Sequence, residues 1–321
     1  MSHAPTPSGT PRHSPQARAQ GIACAIASAA LFACNTNLAR LSFASGADAA
    51  TMNAVRFVVT VLLLQLLSAL RRSPPPLNPR QRFAALALGV LFFLTSFGYM
   101  GAIQFIPVSI AVLLLYSYPI LVALMASLSE GEPLGNSRIA ALVLAFVGVA
   151  LALGVTAADW PDGRGVALAV LAAAAMSVFV IGSSRLLRLA DRGEVNRLLM
   201  TAAAFLFLLM LLAGGTARWP ASGPGWLAFG GAVITFALAQ LALLAAIGRA
   251  GPVLAATLMN LEPLLTIVLA VLLVGERLTG LQLAGAALVL SAIYLTGRRP
   301  ARSALRPPGT PAKARPSPHI L

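Results

Sequence analysis

Acid is scarce in this sequence: nine of 321 residues are Asp or Glu, and charged residues of both signs make up only 10%. There are three histidines, His3, His13 and His319, all in the terminal segments. A Ser–His hydrolase or a histidine metal site therefore has no parts, and no metal is expected. No G-x-x-x-x-G-K-[ST] stretch occurs, which excludes ATP hydrolysis by a phosphate loop. The chain is expected to be no enzyme and to need no cofactor. Cys24 and Cys34 are ten residues apart; on one helix that separates them by about 15 Å, too far for a disulfide, and they read as small core residues.

What the chain has in quantity is apolar surface, with 58% hydrophobic residues and a mean hydropathy of +0.85. Too little polar surface remains to coat a soluble globule, so the composition is that of an integral membrane protein. Apolar windows of about 20 residues, each enough to cross a hydrocarbon core as helix, recur at 21–41, 48–70, 83–103, 106–129, 138–155, 165–184, 197–214, 225–246, 252–274 and 280–297. The expected fold is an all-α polytopic membrane protein with ten transmembrane helices. Its net charge of +14 would suggest nucleic acid in a soluble protein. Here the basic residues sort by side of the membrane, and the expected partners are the lipid bilayer and a small-molecule substrate, not nucleic acid. With both termini cytoplasmic, 18 Lys or Arg fall inside against Arg40, Arg164, Arg218 and Arg277 outside; without the tails the ratio is still 10 to 4. The positive-inside rule thus gives a multi-pass protein of the inner cell membrane with both ends in the cytoplasm. Trp160, Trp219 and Trp226 fall at outside loops, as interfacial anchors do. Residues 1–20 and 298–321, rich in Pro, Ser and Arg, read as disordered tails. The Pro-stiffened stretch "RRSPPPLNPR" is a basic inside loop, a topology determinant or a contact for anionic headgroups.

The sequence repeats itself at an offset of 144. Ala102-Ile103 recurs as Ala246-Ile247, Pro119 as Pro263, Gly131-Glu132-Pro133-Leu134 as Gly275-Glu276-Arg277-Leu278, and Gly21 meets Gly165. The two copies, residues 21–155 and 164–297, each hold five helices, so the second must sit upside down relative to the first. The repeat also argues that the first helix is retained rather than cleaved as a signal peptide. Inverted repeats are a recurrent transporter plan, with the substrate site near the midplane between the halves.

The motifs "RF" (Arg56-Phe57), "YPILVALMASLSEGEPL" closing the fourth helix and "GPVLAATLMNLEPLLTIVLAVLLVGERL" in the ninth complete this pattern. Over residues 21–297 the chain resembles EamA-type members of the drug/metabolite transporter superfamily. The resemblance implies export of small metabolites, often amino acids or related compounds, or of toxic compounds, by secondary transport. Glu132 and Glu276 are prominent in the family motif, and they are read as structural residues that meet the positive N-terminal ends of helices.

Glu262 is the one acid deep in an apolar run. It lies roughly 16 Å along the ninth helix, close to mid-membrane, where a charge costs about 2.5–3.5 kcal/mol on insertion scales. Either it is unpaired and takes up and releases a proton during transport, or a cation holds it ionised. Arg56, at comparable depth in the second helix, is the candidate cation. At the offset of 144, Arg56 meets Met200 and Glu262 meets Tyr118, so both charges vanish together from the other copy. Pro263 and Pro119 are expected to kink the ninth and fourth helices. Helix geometry puts Ala255, Met259, Glu262 and Thr266 on one stripe with Asn260 beside it.

Asn35 and Asn37 in the first helix, Ser96 and Tyr99 in the third, Tyr116 and Tyr118 in the fourth and Gln240 in the eighth are further candidates for an amphipathic cavity. Each also has an alternative role as an interhelical hydrogen bond. Gly280 and Ala284 suggest close packing of the tenth helix, or the seam of a homodimer. The expected activity is secondary export of a small polar or amphipathic metabolite, such as an amino acid, by alternating access. The alternatives are a proton-coupled efflux pump for lipophilic cations or toxic compounds, and a membrane sensor or scaffold without flux.

Overall fold

The computed structural model describes residues 15–70, 76–106, 108–130, 135–154, 162–214, 217–274 and 279–297. The described residues form twelve helical segments: α1 (Pro15–Ala44), α2 (Ala49–Ala69), α3 (Pro79–Ala102), α4 (Val108–Leu115), α5 (Tyr118–Glu130), α6 (Asn136–Ala152), α7 (Gly163–Leu186), α8 (Arg192–Gly214), α9 (Gly223–Ala250), α10 (Pro252–Met259), α11 (Leu261–Val274) and α12 (Gly280–Gly297). Among the described residues, eight helical stretches are long and apolar enough to cross a membrane, the fourth formed by α4 with α5 and the eighth by α10 with α11. Two shorter apolar helices, Ile139–Ala152 and Gly280–Leu295, accompany them. Large apolar side chains such as Leu62, Leu66, Leu128, Leu212 and Leu272 point outward, as a surface facing lipid requires.

Short connections are set by caps. Asp48 accepts from Thr51 N at 2.6 Å to start α2. Asn78 and Gln81 form a capping box with Pro79 at the first helical position of α3. Ser222 accepts from Gly225 N to start α9. Gly251, with φ 84°, is the whole link between α9 and α10, a left-handed turn that a side chain would strain. Helix α1 begins at Pro15, so six residues expected in the N-terminal tail are helical instead. Pro is suited to a helix start because its missing N–H has no helical partner there, and the Gln, Ala and Arg that follow favour helix.

Helices of one repeat pack chiefly on helices of the other: α1 on α9, α7 on α3, α2 on α8 and α6 on α12. Small residues allow this. Ala25, Ala29 and Ala33 are wholly buried along one face of α1, and Ser28 donates to Ala239 O of α9 at 2.9 Å. Gly21 lies against Ala250 and Arg249 so closely that a Cβ there would sit 2.6 Å from Ala250 N; 144 residues later, Gly165 lies against Ile106 and Phe105, where a Cβ would sit 2.7 Å from an Ile106 methyl. The same contact is made twice with the partners exchanged.

Within the chain, the close packing of α12 does not use Gly280 and Ala284. Gly280 faces open space and Ala284 is exposed. The close approach is instead Gly285 against Gly148 of α6, where a Cβ on Gly285 would meet Gly148 O at 2.6 Å. One residue of rotation decides which face of α12 is buried, and the matching glycine lies on a helix distant in sequence.

Candidate functional site

Two of the long helices are interrupted. Tyr116 and Ser117 separate α4 from α5, and Asn260, 144 positions after Tyr116, separates α10 from α11. In each case a proline follows three residues later, Pro119 or Pro263. It has no N–H to offer the carbonyl four residues back, and its ring crowds that turn. The breaks are closed by tighter bonds, Ser117 N to Leu114 O and Asn260 N to Thr257 O, both 3.2 Å. Side chains from neighbouring helices pin the halves that follow. Ser177 of α7 donates to Tyr118 O at 3.3 Å, and Asn37 of α1 donates to Thr266 O at 3.1 Å while also reaching Ala33 O.

Glu262 is at the start of α11, directly after its break. Its carboxylate is turned to the first repeat: the Tyr116 hydroxyl faces it, and Tyr118, Tyr99 of α3 and Arg56 of α2 surround it at interacting range. The Tyr118 hydroxyl donates to Ala256 O of α10 at 3.4 Å, a tie between the two interrupted helices. Thr266, one turn beyond the glutamate, donates to Glu262 O at 2.9 Å. Glu262, Arg56, Tyr99 and Thr266 are half-buried, whereas Asn260, Tyr116 and Tyr118 are buried.

Among the described residues, Arg56 and Glu262 form no ion pair within 4 Å. Arg56 is held another way. Its guanidinium carbon stands 4.3 Å from the ring centre of Phe236 in α9 and 5.7 Å from that of Phe57. Its Nη1 donates to Asn35 Oδ1 at 3.5 Å, and Asn35 Nδ2 in turn donates to Ala232 O at 2.7 Å. Arg56 Nε has no hydrogen-bond partner. The acid and the base therefore share one interior region as separate charges, each supported by its own neighbours.

The offset of 144 shows how one-sided this region is. Asn35, Arg56 and Phe236 correspond to Phe179, Met200 and Phe92. There the charge is gone, Met200 is wholly buried, and Phe92 and Phe179 pack on each other at 4.9 Å between ring centres. Phe57, wholly buried, joins the sets through Phe92, Phe207 and Phe236.

The remaining candidates are more scattered. Ser96 is half-buried on α3. Gln240 is wholly buried on α9, and neither of its polar side-chain atoms has a partner. Glu132 and Glu276 lie outside the described residues. Phe236 was not among the residues singled out from the sequence. The available signal was its repeat mate Phe92, together with the exchange of Asn35 and Arg56 for apolar residues in the other copy.

A family model described as "EamA-like transporter family" matches the chain twice, over residues 19–154 and 163–298. No curated protein matches it. Among solved structures, one titled "Crystal structure of protein" is 22% identical with a TM-score of 0.73, covering 88% of this chain and 96% of that one; the likeness shows a shared fold.

Proposed function

The chain belongs to the EamA-like transporter family and is a multi-pass membrane protein, and from this premise we propose that it is a secondary exporter of a small zwitterionic or amphipathic metabolite, such as an amino acid or derivative. The observation that carries the reading is the separation of Arg56 from Glu262 within one interior region. An unpaired arginine and an unpaired carboxylate at that depth are costly, and a zwitterion satisfies both at once, its carboxylate on Arg56 and its ammonium on Glu262. Phe236, Tyr99, Tyr116 and Tyr118 supply aromatic wall for the rest of the molecule. Asn260 supplies polar side-chain groups at the break, while Asn35, Asn37 and Thr266 bind backbone carbonyls.

Ten spans arranged as two inverted five-helix repeats fit this reading. The partner exchange between α1–α9 and α7–α3 is what such symmetry requires. Access then alternates as the halves rock about the interrupted helices at Tyr116–Ser117 and Asn260, acting as a permease of the inner membrane with both termini in the cytoplasm.

A second reading, a proton-coupled efflux pump for lipophilic cations, draws on the three tyrosines grouped about Glu262. Purified protein in liposomes loaded with a panel of amino acids and of lipophilic cations decides between them. Zwitterion efflux lost in both Glu262→Gln and Arg56→Met supports the metabolite carrier. Cation flux lost in Glu262→Gln alone supports the pump, and no flux of any compound defeats both.

A further inference from the structure

Far from Glu262, the end of the bundle that carries the N-terminus gathers arginines. The Arg192 side chain, from the first residue of α8, lies across Gly248 of α9, with Nε 3.1 Å and Cζ 3.5 Å from where a Cβ on that glycine would sit. The next residue, Arg249, directs Nη1 to Cys24 Sγ of α1 at 4.0 Å. The two cations are close enough to repel each other. Arg18 stands one turn before Gly21, the residue packed against the Arg249 and Ala250 backbone, and so shares that face of α1. All three arginines are half-buried.

The acids nearby spend their hydrogen bonds elsewhere, and Asp191 attracts Arg192 only at a distance. Asp191 Oδ1 accepts from Gly193 N at 2.8 Å and Glu194 N at 3.1 Å, capping α8. Glu194 pairs with Arg197 and accepts the Ser68 hydroxyl. Among the described residues, neither Arg192 nor Arg249 is ion-paired.

The repeat supplies a control. Positions 144 away from Arg18, Arg192 and Arg249 hold Asp162, Asp48 and Phe105. At that opposite set the charge is balanced internally: Asp48 caps α2, Asp162 pairs with Arg164 at 2.9 Å, and the Arg164 guanidinium stands 4.6 Å from the Phe105 ring. Among the described residues, the end that carries Arg192 and Arg249 keeps neighbouring guanidiniums without an ion-pair partner, Asp191 acting on Arg192 only from beyond ion-pair range.

We infer that Arg192 and Arg249, with Arg18 beside them, form a phosphate-binding site at the membrane surface. Guanidinium forks match phosphate oxygens bidentately, and a bound anion removes the repulsion between them. A site at the ends of membrane helices, with exposed Leu189 beside it for an acyl chain, fits the headgroup of an anionic phospholipid. A bare topology signal needs basic residues on one side of the membrane, but it needs neither their convergence nor the glycine that admits Arg192. The site does not depend on the transport reading, since binding is measured without flux.

The test uses the full chain reconstituted with equal phosphatidylglycerol and phosphatidylcholine, and reads retained lipid by mass spectrometry of the intact protein. Wild type is expected to retain phosphatidylglycerol in preference. The Arg192→Gln/Arg249→Gln variant is expected to lose that retention about five- to tenfold, with phosphatidylcholine unchanged. Gly248→Val, which displaces Arg192 without removing a charge, is expected to lose part of it, and it serves alone if the double variant does not accumulate. A second arm titrates inorganic phosphate into delipidated protein: saturable binding abolished by the same substitutions, without a lipid preference, upholds the phosphate site and names free phosphate as its source. Equal retention of both lipids together with no phosphate binding overturns the inference. So does unchanged phosphatidylglycerol retention in folded double variant or in Gly248→Val.

Discussion

The Arg56 guanidinium rests over the ring of Phe236, 4.3 Å from its centre, while the nearest deep carboxylate, Glu262, remains out of ionic contact. A cation held on an aromatic face keeps its outward N–H groups free, and Arg56 Nε has no partner. Phe236→Leu removes this support at a cost of about 1–2 kcal/mol. The expected result is weaker substrate binding with a smaller loss of thermal stability, read as a raised half-saturation for flux beside a modest fall in Tm.

Arg56→Met reproduces what the other repeat has at Met200, a wholly buried apolar residue. Arg56 has no ion-pair partner, so an apolar residue of similar length in its place leaves no opposite charge newly unpaired. Folded yield is therefore expected to hold while flux is lost, as measured by fluorescence-detected gel filtration and liposome efflux. A collapse of yield with no rescue by Glu262→Gln shows that the arginine is structural.

Glu262→Gln keeps the shape of the side chain and its contact with Tyr116. Flux is expected to fall at least tenfold with little change in Tm, because no ion pair is broken. If the residual flux follows a pH gradient as steeply as wild type does, Glu262 carries no proton.

Asn37 joins α1 to α11 through Thr266 O. Asn37→Leu is expected to lower stability by about 1 kcal/mol. In hydrogen exchange, the loss should concentrate in the turn around Glu262 and Thr266.

At the exposed start of α7, hydrogen bonds from the Arg164 side chain and backbone hold the Asp162 carboxyl below its ordinary value of 3.8. This contribution is complete above that value and disappears as pH falls through the lowered one. Acidification is expected to lower the protection of the Arg164 amide, its exchange rate taken relative to the intrinsic rate at each pH. Asp162→Asn, still a capping residue, should remove that acid response.

The sequence makes the periodic and the rare legible. The 144-residue offset, Glu262 in its apolar run and the two mid-helix prolines are visible without coordinates, and the prolines mark where the two long helices break. What stays hidden depends on non-local faces. Phe236 in an apolar helix looks like any core aromatic until Arg56 is placed beside it. Gly280 and Ala284 have the spacing of a packing seam, yet α12 turns Gly285 inward because Gly148 lies opposite. The separation of Arg56 from Glu262 is likewise invisible, since depth along two helices says nothing about their angular facing.

The exchange of partners between repeats has a consequence for synthesis. Helix α1 is complete at Ala44, but α9, on which it mainly packs, begins at Gly223. At about 5–20 residues per second, the ribosome needs roughly 10–40 s to make the intervening chain. Throughout that interval the small-residue face of α1, with Ser28 on it, lacks the helix on which it mainly packs. The nascent first half must wait in the insertion machinery or in lipid, and two halves made as separate chains should assemble only when both are present together.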